Sequence, residues 1–402
     1  MSAGSAQTHA AEGPPIPFLG RLALMMGSSF NGIGIFTIGI PLPAMRAEFA
    51  SAPHAAMLIP AIAGIGGPAF ALTSPAFGRL VDRLGYRTVY LAGILFYVLG
   101  GVAPVVLDNL WLILLSRVVI ALGVSASLAA SLAGIASLPA QQRPGMFGML
   151  NLMGSVTIAA AYPLVGLLVK HGWHYSFLIH LALLPVLALV LGLPGATPKA
   201  SADAADAPRG SILGGLQPPL VLAIAIFGLS MSSGSFYGPT YMAEVGIPDP
   251  AKSGLSLSIM SLMAMVGSGA YGPVHRAIGT RSSLVVFLTI FGLGGVLIAM
   301  TGSWTLITVG FCLAGIGTVG YIAALYTSIS ETLGERSGPA LGAANLALYG
   351  SQIFFPILAS QIGARFGGSV LFLLVSIATL VVTLPITMVI ARRSATPAAV
   401  AA

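Results

Sequence analysis

Residues 78–87 read Gly78-Arg79-Leu80-Val81-Asp82-Arg83-Leu84-Gly85-Tyr86-Arg87. Three arginines and an aspartate crowd into this stretch, in a chain of 402 residues of which only 7% are charged. Apolar runs flank it at 57–77 and 88–106. Each is near the roughly 20 residues that a helix needs to cross a hydrocarbon core of about 30 Å. So polar a segment cannot lie in lipid, and 78–87 is read as a short aqueous turn between two crossings. Composition agrees: 56% of residues are hydrophobic and the mean hydropathy is +0.97. A soluble domain carries about a quarter charged residues, so a water-facing surface cannot be built from this chain.

Moving outward, further apolar runs fall at 20–42, 110–137, 146–169 and 175–193, then at 218–241, 254–274, 283–302, 304–329, 339–362 and 368–391. The expectation is an all-α integral membrane protein with twelve transmembrane helices. Lys and Arg orient it. One side holds Arg21, Arg79, Arg83, Arg87, Arg143, Lys199, Arg209, Arg276, Arg281, Arg336, Arg392 and Arg393, and the other only Arg46, Lys170, Lys252 and Arg365. Both termini are therefore expected in the cytoplasm of a cell whose inner membrane the chain spans. The net charge of +7 follows from this asymmetry and implies no nucleic-acid partner. Cys312 is the only cysteine, which excludes an internal disulfide and a cysteine metal cluster. Residues 1–19 start without Lys or Arg and pass through Gly13-Pro14-Pro15-Ile16-Pro17, a pattern read as a retained cytoplasmic tail rather than a secretory signal.

Residues 194–217, with Thr197-Pro198-Lys199-Ala200-Ser201 and Asp203-Ala204-Ala205-Asp206, form a polar linker. It separates a first bundle, 20–193, from a second, 218–391, leaving 392–402 as a tail. An internal echo supports two pseudo-symmetric six-helix halves. Gly78, Gly85 and Arg87 recur 194 positions later as Gly272, Gly279 and Arg281, each set following the second run of its half.

The 78–87 stretch resembles the inner-loop signature of the major facilitator superfamily, in which a glycine, an Asp-Arg pair, a second glycine and a basic residue join the second and third helices. The resemblance implies a gating role for Gly78, Asp82, Arg83, Gly85 and Arg87. The glycines permit a tight turn, and Asp82 pairs with a helix end or an arginine when the inner gate shuts. The later copy, Gly272-Pro273-Val274-His275-Arg276-Ala277-Ile278-Gly279-Thr280-Arg281, lacks the Asp-Arg pair. Leu114-Leu115-Ser116-Arg117-Val118-Val119-Ile120-Ala121-Leu122-Gly123 is similar to the fourth-helix motif of proton-coupled facilitators, with Ala121 where glycine is usual. Arg117 lies roughly 10 Å below the boundary marked by Trp111. It is read as an anion-binding or proton-tuning group, against the alternative of an arginine bonded to backbone carbonyls. Pro163 and Gly166 match part of the fifth-helix motif of drug exporters, and Tyr162 and Leu167 replace two of its glycines. That implies helix bending at a gate and only weakly implies export.

Two stripes suit a binding site. Asn345, Tyr349 and Gln352 share one face of the eleventh run, and Ser230, Ser233, Tyr237 and Tyr241 share one face of the seventh. Such groups equally serve as glue between helices. Asn31, Asn151 and Tyr326 complete the substrate-binding candidates, with Thr37 beside them. The third, sixth, ninth and twelfth runs are expected to face lipid, and His180 is their one strongly polar residue. No Asp or Glu lies mid-span; Glu244 and Asp108 sit at span ends and are read as solvated.

The expected function is secondary transport of a small solute by alternating access. One form is an efflux permease for amphipathic molecules, with proton coupling open. The other is uptake of a small organic anion with Arg117 as counter-charge. A monomer in the lipid bilayer, without cofactor or metal, suffices. No His-Glu-x-x-His run or acidic cluster marks an intramembrane enzyme, and no long soluble domain marks a receptor.

Overall fold

The computed structural model describes residues 16–139, 141–195, 215–333 and 337–386. Most of the linker and both tails lie outside them. The described residues are helical, without strands. Ten helices are long and apolar enough to cross a membrane, or eleven when one bent pair counts as a single span.

In chain order these are α1 (Phe18–Gly39), the bent α2 (Ala55–Gly64 with Gly66–Leu84), α3 (Tyr86–Val105), α4 (Leu110–Ala136) and α5 (Arg143–Val169). Then come α6 (Trp173–Leu191), α7 (Pro218–Glu244) and a 50-residue element, Pro250–Ala299. Within that element Gly279 alone departs from helical geometry (φ 75°, ψ 168°), and we label its arms α8 (250–278) and α9 (280–299). The remainder are α10 (Trp304–Leu333), α11 (Ala340–Phe366) and α12 (Gly368–Ile386).

Local chemistry sets several boundaries. The Asn109 side chain accepts the amides of Trp111 and Leu112 at the start of α4. Asp249 does the same for Ala251, with Pro250 in the first helical position of α8, where a missing N–H costs nothing. Gly85 (φ 79°, ψ 150°) ends α2 with nearly the same backbone as Gly279, so the recurrence read in the sequence is also a recurrence of turn geometry. Both angles lie where essentially only glycine is unstrained. The bend in α2, 46° at Ile65, falls between Gly64 and Gly66, a common origin of kinks.

Small residues let the helices close on one another. A Cβ at Gly100 or Gly123 would meet the backbone of the facing helix in the α3–α4 pair. In the later residues Gly294 and Gly317 of the α9–α10 pair are under the same constraint. The outer surface carries exposed leucines such as Leu95, Leu99, Leu115 and Leu293, as a lipid-covered bundle requires.

Candidate functional site

Helices before and after residue 200 meet along α1–α7, α2–α11 and α5–α8. At the end of the bundle that carries Lys170 these contacts are tight. Lys170 pairs with Asp249 at 3.0 Å, and the Ser258 hydroxyl donates to the Ala159 carbonyl at 2.7 Å. A Cβ on Gly39 would overlap the Ser235 carbonyl, one on Gly166 the Pro250 carbonyl, and one on Gly254 the Tyr162 carbonyl. The Arg46 guanidinium lies 5.9 Å from the centre of the Tyr237 ring. Tyr237 donates to Glu244 Oε1 at 2.5 Å, and the Gly368 amide donates to Glu244 Oε2 at 3.0 Å. Burial lowers the pKa of Arg46, opposed by the Tyr237 and Glu244 groups beside it.

At the end carrying Arg87 the picture reverses. A Cβ on Gly78, Gly145, Gly148, Gly269, Gly272 or Gly342 would meet nothing within 4 Å. Asp82 is exposed and makes no ion pair among the described residues. The molecule is closed at one end and splayed at the other.

Between the ends lies a cavity of ≈ 220 Å³. Phe36 of α1 and Ser155, Ile158 and Tyr162 of α5 form one wall. Ser233 and Ser235 of α7, Ser261 of α8, Phe311 and Thr318 of α10, and Phe291 and Ser376 of α9 and α12 contribute to the others. Its polar groups are hydroxyls, its aromatic groups mainly phenyl rings, and no charged side chain belongs to the lining. Such a surface offers short, neutral hydrogen bonds and broad apolar contact.

The sequence model of the Major Facilitator Superfamily matches residues 22–276 and 249–401. The chain belongs to this superfamily. It is a secondary transporter for a small molecule, not an enzyme, and this facilitator is 26% identical over 274 residues to the sialic acid transporter NanX of Escherichia coli (strain K12). That match covers 65% of this chain and 66% of NanX, a little under two thirds of its length. It is also 26% identical over 340 residues to YhjO of Bacillus subtilis (strain 168), an uncharacterized transporter of the same superfamily, with 79% and 80% covered. Among solved structures it is similar to a D-xylose–proton symporter (TM-score 0.73, 15% identity, 92% of this chain and 97% of that one). It is likewise similar to a bacterial homologue of the human lysosomal transporter Spinster in an inward-facing, unoccupied conformation (TM-score 0.72, 16% identity, 96% and 100%). At these identities the structures speak for the fold alone.

Of the substrate-binding candidates chosen from the sequence, Ser233 lines the cavity. The seventh-helix stripe is otherwise divided. Ser230 accepts from Thr379 of α12, Tyr237 is held by Glu244, and Tyr241 donates to the carbonyls of Ile298 and Thr301. Tyr326 and Asn345 face each other, the phenol donating to Asn345 Oδ1 at 2.5 Å. Tyr349 packs edge-on against Phe70 of α2. Gln352 is fully buried and both ends of its amide lack a partner, as does Oδ1 of Asn31. Asn151 is exposed on the splayed part of α5.

Arg117 is 1% exposed and does not line the cavity. Its Nη2 donates to the Gly34 carbonyl at 2.7 Å, while Nε has no partner. Tyr97 and His180 stand in the same interior region, their rings 5.4 Å apart, each with one unpartnered polar atom. Among the gating candidates, Gly78, Asp82, Arg83, Gly85 and Arg87 lie at the splayed end, and Pro163 and Gly166 at the closed one.

Sequence reasoning missed most of the lining: Phe36, Ser155, Tyr162, Ser235, Ser261, Thr318 and Ser376. Gly254, Ser258 and Ser261 of α8 carried a usable signal, since small residues at three- and four-residue spacing mark one packing face. The ninth and twelfth runs were expected to face lipid. They do expose Leu293 and Val381, yet Phe291, Gly295, Phe372 and Ser376 reach the cavity.

Proposed function

We propose that this facilitator takes up a small, uncharged, hydroxyl-bearing amphipathic solute, and that the cavity between α1, α5, α7–α10 and α12 receives it. The observation that carries this reading is the lining itself: serine, threonine and tyrosine hydroxyls beside phenyl rings, with no charged group. A carboxylate or ammonium ion brought there would lose hydration without a counter-charge, a cost of several kcal/mol. Uptake of an organic anion against Arg117 fits less well, because that guanidinium lies away from the cavity, with Nη2 bonded to the Gly34 carbonyl. The relative named for sialic acid, a hydroxyl-rich carboxylate, supports a polyhydroxylated solute and import over export, and it is the observation that favours the organic-anion form as the second reading.

The same reading takes α8 and α9 as separate crossings, which makes twelve, in halves 20–193 and 218–391 joined by 194–217. A continuous 50-residue helix would be about 75 Å long, more than twice the hydrocarbon thickness. The end carrying Arg87 faces the cytoplasm on the positive-inside rule, with both termini there. The described conformation is then inward-facing in a cell inner membrane, and a monomer contains the whole path.

Counterflow into proteoliposomes tests the proposal. Labelled xylose, uridine, sialic acid and tetraphenylphosphonium are offered with and without a pH gradient. Exchange of a neutral polyol or nucleoside, without exchange of the two ions, is the expected result. Extrusion of tetraphenylphosphonium driven by the pH gradient, with no neutral exchange, would overturn it in favour of efflux.

A further inference from the structure

The cavity has two chemically different ends. Near α1 and α5 it presents the hydroxyls of Ser155, Tyr162, Ser233 and Ser235. It then runs past α7 and α10 to α9 and α12, where Phe291, Ile298, Phe372 and Val375 close it. Ser376 is the one hydroxyl at this far end, donating to the Phe372 carbonyl at 2.8 Å, and the groups around it, Phe291, Ile298, Phe372 and Val375, are hydrocarbon. Ile298 and Phe372 are each 1% exposed. The far end is dry.

The backbone beside it is unusual. Residues Ala378–Thr383 of α12 form a π-helical segment, a rare conformation found mostly at functional sites. From its first turn, Thr379 donates to Ser230 of α7 at 2.9 Å and pins α12 against the cavity wall. Gly292 and Gly295 of α9 admit Leu380 and Ser376 where a Cβ would overlap them. Thus α9 and α12 are shaped to meet each other and the cavity together, though neither was expected to leave the lipid face.

We propose that this far end is an apolar subsite of the transport cavity, taking a phenyl or branched alkyl group while the near-end hydroxyls hold the polar part of the same molecule. An apolar cavity of about 150 Å³ accepts benzene, so the ≈ 220 Å³ of the whole cavity has room for one ring and a small polar part beside it. The proposal rests on the cavity being the solute's path, and it narrows the solute to an uncharged molecule with one hydroxyl-rich and one apolar end.

Thiol labelling tests it without knowledge of the solute. Cys312 is the only native cysteine, so Cys312→Ala supplies a silent background. Ser155→Cys and Ser376→Cys are each treated with uncharged N-ethylmaleimide and with a permanently charged trimethylammonium thiosulfonate. The ratio of the two rates at one thiol cancels that thiol's own ionisation. The ratio at Ser376→Cys is expected to exceed that at Ser155→Cys by at least about tenfold, because the charged reagent must be desolvated to reach it. Benzyl alcohol is expected to slow maleimide at Ser376→Cys and not at Ser155→Cys. Ala264→Phe, which narrows the cavity, is expected to abolish the Ser376→Cys reaction while Ser155→Cys continues to report an intact fold.

Equal ratios at the two positions would mean a wet, polar far end, and no reaction with either reagent would mean a sealed one. Labelling that survives Ala264→Phe would mean entry from lipid. Each of these overturns the subsite. Failure of the counterflow test removes the solute assignment without touching the labelling pattern, so the two readings fail separately.

Discussion

Replacing Gly254 by alanine should force the closed end open. Gly254 of α8 sits against the Tyr162 carbonyl of α5, and a methyl group there would overlap that oxygen. A backbone carbonyl inside a helix cannot rotate away, so α5 and α8 must part. Overpacking of this kind costs about 1–3 kcal/mol. Parting also strains the bond from Ser258 to Ala159, and a hydrogen bond between membrane helices is worth about 0.6 kcal/mol. The penalty falls on the closed arrangement alone, because helices that have separated have room for the methyl. Together the terms amount to about 1.6–3.6 kcal/mol, a shift of roughly 15- to 400-fold in the ratio of closed to open. Spin labels at His171→Cys and Pro248→Cys, both exposed at that rim, report the separation by electron–electron resonance in the Cys312→Ala background. The short-distance population should collapse in Gly254→Ala and fall only about threefold in Ser258→Ala. An unchanged distance distribution in a well-folded Gly254→Ala protein would refute the idea that this close approach holds the end shut.

The bond from Lys170 holds the Asp249 carboxyl below its ordinary value, with the Ala251 amide acting in the same direction. Its contribution to closure is therefore complete above an ordinary aspartate pKa of about 3.9 and is lost as pH falls through the lowered value. The same label pair should show no change between about pH 5 and 8 and opening only in stronger acid; opening near neutrality would point to another group. Arg117→Met removes a buried charge with a single recorded hydrogen bond, and such changes are often neutral or stabilising. The thermal midpoint should hold or rise and counterflow of the neutral solute should persist, whereas loss of counterflow with an intact midpoint would return Arg117 to the transport path. Gly85→Ala and Gly279→Ala, at φ 79° and 75°, should each cost about 1–3 kcal/mol of stability, seen as a lower midpoint; no loss at either would show that the turn readily rearranges.

The spans were legible because lipid demands long apolar runs, and the basic turn at 78–87 stood out against them. The later turn was legible too, as the recurrence of Gly279 at the position of Gly85. Its brevity was not: polar residues from His275 to Ser282 suggested a loop, yet helix continues on both sides of one glycine. The cavity was far less legible. Ser230 and Ser233 lie on one helical face, but the first bonds to Thr379 and only the second lines the cavity. Which neighbour a serine meets depends on helix rotation and tilt, and an apolar background leaves both unmarked. Glu244 shows the opposite case. Its place two turns beyond Tyr237 already put the two on one face, and the acid is bonded to Tyr237 at the closed end while remaining exposed, as expected of a span terminus.

Residues 250–299 run as one element whose single interruption is Gly279, and Gly85 joins α2 to α3 with equal economy. Mechanically, neither joint contains slack. A long loop would stretch and dissipate a displacement of the helix before it, whereas a one-residue corner passes torque straight into the helix that follows. Tilting α8 about its contact with α5 must therefore swing α9, and the α12 segment packed on it, in the same stroke. A push at the rim is felt across the width of the bundle, as it is along a stiff lever.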